Sequence, residues 1–158
     1  FGKTTYRLQA GYIDQVIPRS LLFTGEGSYD DDFPIVVENT FQTMLPYEFL
    51  SDRYIDVFLS HNFGSLLFKS GKFNPEIILH HNTGWGGLSD KYTLYNFKTK
   101  EDIYLESGLE LARVLKFNYL DLGYITFGAG AFYRYGSYEL ESFNDNIAFK
   151  LNIGFSFN

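Results

Sequence analysis

From Ile147 onward the chain alternates without a slip. Ile147, Phe149, Leu151, Ile153, Phe155 and Phe157 fall on one side, and Ala148, Lys150, Asn152, Gly154 and Ser156 on the other. Successive strand side chains point to opposite faces, so this period of 2 predicts a strand. One face is large and apolar and the other small or polar. The length matches the about 9–11 residues that a tilted strand needs to cross a bilayer. The same pattern recurs upstream. In Tyr6–Ile13, Tyr6, Leu8, Ala10 and Tyr12 alternate with Arg7, Gln9 and Gly11. In Val36–Leu45, Val37, Phe41, Thr43 and Leu45 oppose Glu38, Thr40 and Gln42. In Arg53–Phe63, Ile55, Val57, Leu59 and Phe63 oppose Asp56, Ser60 and Asn62. In Ile103–Arg113, Leu105, Leu109 and Leu111 oppose Glu106, Gly108 and Glu110. In Gly123–Tyr135, Ile125, Phe127, Ala129, Ala131, Tyr133 and Tyr135 oppose Thr126, Gly128, Gly130 and Arg134. Glu76–Thr83 is the weakest case, because Ile77-Ile78 breaks the alternation. About seven to eight strands are expected, and no stretch carries a capped 3.6-residue stripe. The fold class is therefore all-β, an antiparallel transmembrane β-barrel, with residues 1–158 as one barrel segment.

The connections follow a pattern too. Short turns alternate with longer polar loops, Gly84–Glu101 and Gly136–Asp145, as in barrels with short turns on one side of the membrane and long loops on the other. On this strand assignment Asp14–Phe33, with Pro18 and the Asp30-Asp31-Asp32 run, is a long connection on the side opposite those loops.

Composition sharpens this picture. Aromatics make up 20% of the 158 residues, with 17 Phe and 13 Tyr, and 15 Gly accompany them. Such a load suits pleated surfaces and a bilayer-facing wall with aromatic girdles. Mean hydropathy is −0.15, as expected where apolar residues are interleaved with polar ones. The longest apolar runs, such as Leu66-Leu67-Phe68 and Pro34–Val37, fall far short of the about 18 residues of a transmembrane helix. There is no cysteine, which excludes disulfides and thiolate zinc sites. Net charge is −6 without a Lys/Arg cluster, so nucleic acid is not an expected partner. The chain starts at Phe1 without Met or a signal peptide and is read as a processed protein or a fragment.

Candidate chemistry is sparse. His80 and His81 are adjacent, so on a strand they face opposite sides and do not share a metal ion; His61 stands apart. Asp30-Asp31-Asp32 lacks the spacing of a calcium loop and reads as a solvated connection. Glu106 and Glu110 share a face but lie about 13 Å apart along a strand, beyond a glycosidase pair. They read as lumen charges together with Arg7, Glu38, Asp56, Arg134 and Lys150, with Arg7, Arg134 and Lys150 as candidate partners. Asn82–Gly87 reads as a glycine-rich loop tip carrying Trp85. No nucleophile elbow, phosphate-cradling loop or Cys/His pair occurs, so no enzyme activity, metal or cofactor is expected. Glu48-Phe49-Leu50-Ser51-Asp52-Arg53-Tyr54 stands out. Asp52 and Arg53, at a strand start, read either as a pin that fixes register by charge-assisted bonds or as a contact for a plug, partner or substrate.

Two stretches carry a resemblance. One runs from Gly11-Tyr12 through Pro18-Arg19-Ser20-Leu21-Leu22 to Gly25-Glu26-Gly27-Ser28-Tyr29. The other is Phe41-Gln42-Thr43-Met44-Leu45-Pro46-Tyr47 with Glu48–Tyr54, followed by His61-Asn62-Phe63-Gly64. Together they resemble the barrel region of a family of bacterial outer-membrane proteins that carry an N-terminal carboxypeptidase-regulatory-like domain. That family's barrel is similar to the barrel of the BamA/TamA superfamily of assembly factors. The resemblance implies about sixteen strands in the whole barrel, so this chain is read as its C-terminal half. It implies residence in the bacterial outer membrane and a role in inserting, transporting or displaying protein or lipid at the surface. It also implies that the assembly machinery reads the last strand during insertion, through Phe149, Leu151, Ile153, Phe155 and Phe157, by adding to its edge. The expected partners are the lipid bilayer, that machinery and other envelope proteins, with Glu48, Phe49, Asp52, Arg53 and Tyr54 as the family-motif turn.

Two other readings fit the pattern. A soluble lipocalin-like barrel of about eight strands would enclose one ligand, with its Phe and Tyr turned inward. A complete small outer-membrane barrel would act as an adhesin or stabiliser.

Overall fold

The computed structural model describes residues 2–65, 74–92, 97–120 and 122–157. Six strands form one sheet: β1 (Lys3–Tyr12), β2 (Arg53–Asn62), β3 (Glu76–Gly87), β4 (Lys100–Tyr119), β5 (Gly123–Tyr135) and β6 (Ile147–Phe157). They lie in chain order, each antiparallel to its neighbour. Among the described residues there is no α-helix, only short 3-10 turns such as Arg19–Leu21 and Phe143–Asn146. The all-β, antiparallel expectation holds. The sheet is not closed into a barrel: β1 and β6 are its two edges.

The strand count falls to six because Val36–Leu45 is not a strand. Asn39 takes a left-handed φ of 58°, and the Thr40 hydroxyl donates back to Val37 O at 2.9 Å. The Gln42 and Thr43 N–H groups go to a side chain of β4 rather than to a neighbouring strand. The alternation there is a coincidence of two turns. Ile13–Asp52 therefore becomes one long strap between β1 and β2. It leaves the same end of the sheet as the β3–β4 and β5–β6 connections, so Asp14–Phe33 joins the other long loops instead of opposing them. At the far end, β4 turns into β5 around Leu120 and Leu122.

Asn82–Gly87 is a second correction, since it continues β3 rather than forming a loop tip. Gly84 and Gly86 face the strap, and a Cβ at Gly84 would overlap Asp56, Phe41 and Lys100. Their lack of a side chain is what admits the strap. On β4 the register slips between Leu111 and Leu115, with Arg113 at a φ of 57°. This bulge presses on Gly128, where a Cβ would overlap the Leu111 carbonyl and Ala112, so the glycine is required by close approach.

The strap lies across one face of the sheet and makes the core there. Phe41, Met44 and Phe49 of the strap pack with Phe58 of β2 and Tyr104 of β4, and Tyr138 leans on the cluster. A second group joins Leu22 and Leu50 to Tyr92, backed by Ile17, Leu88 and Phe97. The strap then reaches the free edge of β6, where Val36 N–H donates to Leu151 O (2.8 Å) and Leu151 N–H to Pro34 O (2.6 Å). The opposite face of the sheet is uncovered and apolar. On β6, Phe149 is 73% exposed while its neighbour Lys150 is 2% exposed. The charged side is inside and the greasy side outside.

Phe41→Ala removes the ring at the centre of this core. It should cost about 3–5 kcal/mol of unfolding free energy, read by urea titration of the protein in detergent micelles. A loss under about 1 kcal/mol would mean that the strap is not packed as described.

Candidate functional site

The inner face of the sheet is a row of polar side chains, some of which hold the strap or a connection while others pair across neighbouring strands. Parity along the strands sets this row. Asp56, Asn82, Glu106, Glu110, Arg134 and Lys150 all point to the covered face and are all buried. Glu106 lies at its centre. Its carboxylate accepts from Gln42 N (3.0 Å), Thr43 N (2.6 Å), Thr43 Oγ1 (2.5 Å) and Asn82 Nδ2 (2.8 Å). No cation partners it among the described residues; the strap backbone does that work. Lys150 Nζ donates to Ser28 O at 2.8 Å. Lys100 Nζ donates to Asp56 Oδ1 at 2.5 Å and lies 4.8 Å from the centroid of the Phe41 ring. In place of the expected pairing of Arg7, Arg134 and Lys150 with Glu106 and Glu110, Glu106, Arg134 and Lys150 bond to the strap, and Glu110 pairs with His80 of β3. Arg7 and Glu38 are exposed.

Arg134 grips the strap near its exit. Its guanidinium donates to both oxygens of Glu48 at 3.2 and 2.8 Å, and its Nε to Tyr138 O at 2.5 Å. Lys98 Nζ adds a 2.7 Å contact to Glu48, and the same carboxylate accepts from Leu45 N at 3.1 Å. Burial alone pushes the Glu48 carboxyl up, but the bonds from Arg134 and Lys98 outweigh it and hold the group below its ordinary range. The strap turns at Pro46-Tyr47, where Glu48 N–H reaches back to Leu45 O (3.1 Å) and Tyr47 adopts a φ of 61°. A non-glycine residue in that region is strained, and the Glu48 grip fixes it there.

The other residues of Glu48–Tyr54 make contacts within the fold, apart from Arg53. Phe49 is buried against Tyr104 and Tyr138, with ring centroids 5.9 and 4.9 Å away. Asp52 accepts from Ser89 N (2.9 Å) through Oδ2, donates its N–H to Gly87 O (3.0 Å), and accepts Ile13 N–H at its carbonyl (2.8 Å). It ties the strap's two ends to the β3–β4 connection. Arg53 opens β2 opposite Gly87 and makes no ion pair among the described residues. Tyr54 packs on Phe23 of the strap, 4.7 Å between centroids.

The histidines separate as their spacing requires. His80 faces inward and its Nε2 meets Glu110 Oε2 at 3.0 Å. This pair lines a polar cavity of about 390 Å³ between the strap and β1–β3, with Thr5, Ser60, Asn62 and Asn82 in its walls. His81 faces outward to Ser107, and His61 to Thr4. Asp30 caps its own turn through Asp32 N and Phe33 N. Tyr29 donates to Asp31 at 2.6 Å, and that bond, with burial and nearby carboxylates, raises its phenol to about 12.

On β6, Phe149, Leu151, Ile153 and Phe155 are exposed on the uncovered face. Leu151 is also the residue the strap bridges. The Phe157 side chain lies outside the described residues. Sequence reasoning did not single out Lys100, Thr43, Tyr104, Tyr138 or Asn146. Lys100 shares the parity of Glu106, which would have placed it inside. Asn146 is fully buried and brackets the β5–β6 connection through Leu140 N, Leu140 O and Ser142 O; no local pattern announces that.

Comparison of the chain with protein-family models, with curated proteins and with solved structures gives no match.

Glu106→Gln replaces an acceptor of several N–H and O–H groups by an amide that is itself a donor. It should cost on the order of 3 kcal/mol and expose Asn39–Met44 to limited proteolysis. A variant as stable and as protected as the wild type would remove Glu106 from this role. The Glu48 carboxyl titrates lower in the folded than in the unfolded chain. Its contribution is therefore present above its ordinary value of 4.5 and is lost as pH falls below it. The wild type should lose stability below pH 4.5 more steeply than Glu48→Gln. Parallel pH–stability curves would show that Glu48 is not held as described.

Proposed function

We propose that this chain is a membrane-spanning part of a bacterial outer-membrane β-barrel, working in insertion, transport or surface assembly of protein or lipid rather than in catalysis. One observation carries the membrane part of this reading. The uncovered face of the sheet is apolar, the strap-covered face is charged, and aromatic rings collect at both ends of the strands. At the end with the long connections, Tyr133 lies against Tyr135 and Phe143, at 6.2 and 5.5 Å between centroids. At the other end, Phe117 meets Phe127 at 5.9 Å and Tyr119 meets Phe155 at 6.5 Å. Ile125 pairs with both Phe117 and Phe155, and Tyr135 closes β5 at the opposite end. At about 3.3 Å per residue and a tilt near 40°, these levels are about 25 Å apart along the normal, the height of a barrel's apolar band. Leu109, Leu111, Leu151 and Ile153 are exposed on this face.

An open sheet of six strands supports a place in a larger barrel over a complete small one, because membrane barrels begin at about eight strands. The soluble ligand-binding alternative needs the aromatic face inside, and that face is the uncovered one. The role in assembly or transport rests on the resemblance of Glu48–Tyr54 and the strap to the outer-membrane family, and fold alone does not choose the cargo.

Leu151→Arg tests the membrane reading. An arginine at the bilayer midplane costs about 2–4 kcal/mol, so the folded fraction recovered with phospholipid vesicles should drop sharply against the wild type. On a water-facing surface the same change would leave folding intact or improve solubility, and that outcome would overturn the reading.

A further inference from the structure

Three hydrogen-bonding side chains meet on the apolar outer face. His81 of β3 lies directly opposite Ser107 of β4, and its Nδ1 is 3.0 Å from Ser107 Oγ. The Tyr135 hydroxyl, from the end of β5, lies 3.1 Å from Ser107 Oγ and 3.4 Å from His81 Nδ1. Counting protons shows that this cluster cannot satisfy itself. A neutral histidine brings one N–H, and the serine and tyrosine bring one O–H each. Nδ1 either donates or accepts, never both. If it accepts, the Nε2–H points out of the cluster. If it donates, one hydroxyl proton is left over. Every tautomer therefore presents at least one unused donor, on a face made mostly of Leu, Ile, Phe and Tyr. Such a donor takes whatever acceptor its surroundings bring within reach.

The surroundings specify what supplies the acceptor. Ser107 shares its side of β4 with the Leu109 step below it, where Leu109, Ala131 and Phe149 lie side by side across β4, β5 and β6. One step further on, Leu111, Ala129 and Leu151 repeat the arrangement. The two alanines thus floor a valley walled by larger, exposed side chains. A depression over Gly108, Ala131, Leu79 and Leu109 joins the valley to the cluster. From Ala131 to Phe127 the valley runs about 13 Å. The cluster lies at the level of the Tyr133–Tyr135 stack, where aromatic rings mark the membrane–water interface. It contains neither Arg nor Lys, so a phosphate finds no charged fork.

We infer that this is a binding site for one ester-linked membrane lipid. A carbonyl oxygen of the ester accepts from the His81–Ser107–Tyr135 cluster, and the acyl chain lies along the Ala131–Ala129 valley. The site deepens the membrane reading above and rests on it.

The test uses the full chain reconstituted in vesicles of diester phosphatidylethanolamine or of its dialkyl ether analogue, which lacks the carbonyls. Vesicle flotation is read first, then lipid retained per chain by native mass spectrometry after extraction. The wild type should float in both and retain the diester lipid about fivefold better than the ether, the worth of one hydrogen bond. Tyr135→Phe, which removes a single oxygen, should narrow that preference, and His81→Leu with Ser107→Ala should abolish it. Equal retention of ester and ether lipid by a floating wild type, or a preference unchanged in the variants, overturns the lipid site and leaves the membrane reading standing. A wild type that does not float overturns both.

Discussion

A buried carboxylate with no cation beside it must be satisfied by neutral donors, and Glu106 finds them in the backbone of the strap and in Asn82. The dependence runs both ways. Without the strap, Glu106 would keep only the Asn82 amide, too little to satisfy a buried carboxylate. Without Glu106, the turn at Gln42-Thr43 would bury N–H groups that no strand pairs. The same reciprocity appears at Lys150 with Ser28 and at Arg134 with Glu48. A polar wall and an irregular segment stabilise each other.

This explains the inverted distribution of side chains. The strap brings its own apolar residues, Phe41, Met44 and Phe49, so the covered face has a core although the wall around it is charged. The aromatic and aliphatic residues of the strands are free to face outward, and they do so in two aromatic levels with a smooth band between. Where that face carries His81, Ser107 and Tyr135, the polar groups come from adjacent strands and converge.

Much of the fold was legible because strand parity is a local property. Counting by twos from Phe149 or Glu106 assigns each residue to a face, and the structure keeps those faces for Asp56, Glu110, Arg134 and Lys150. The separation of His80 from His81 follows from the same rule. Parity misled where turns imitate it. Val36–Leu45 alternates as well as β2 does, yet its Gln42 and Thr43 amides bond to a side chain rather than to a neighbouring strand. The difference lies in partners more than sixty residues away. Asn82–Gly87 misled in the other direction, since its glycines signal close approach by the strap rather than a turn.

The period, and the sharing of one side by Phe149, Leu151, Ile153 and Phe155, were thus settled by the order of residues, because a strand's two sides are a consequence of its covalent geometry. Which face is covered, and by what, was not. Nothing local says that Glu106 will bind Gln42 and Thr43, that Glu48 will reach Arg134, or that Asp52 will tie β3 to the strap. Those contacts join segments far apart in the chain, and only the folded sheet brings their partners within hydrogen-bonding distance.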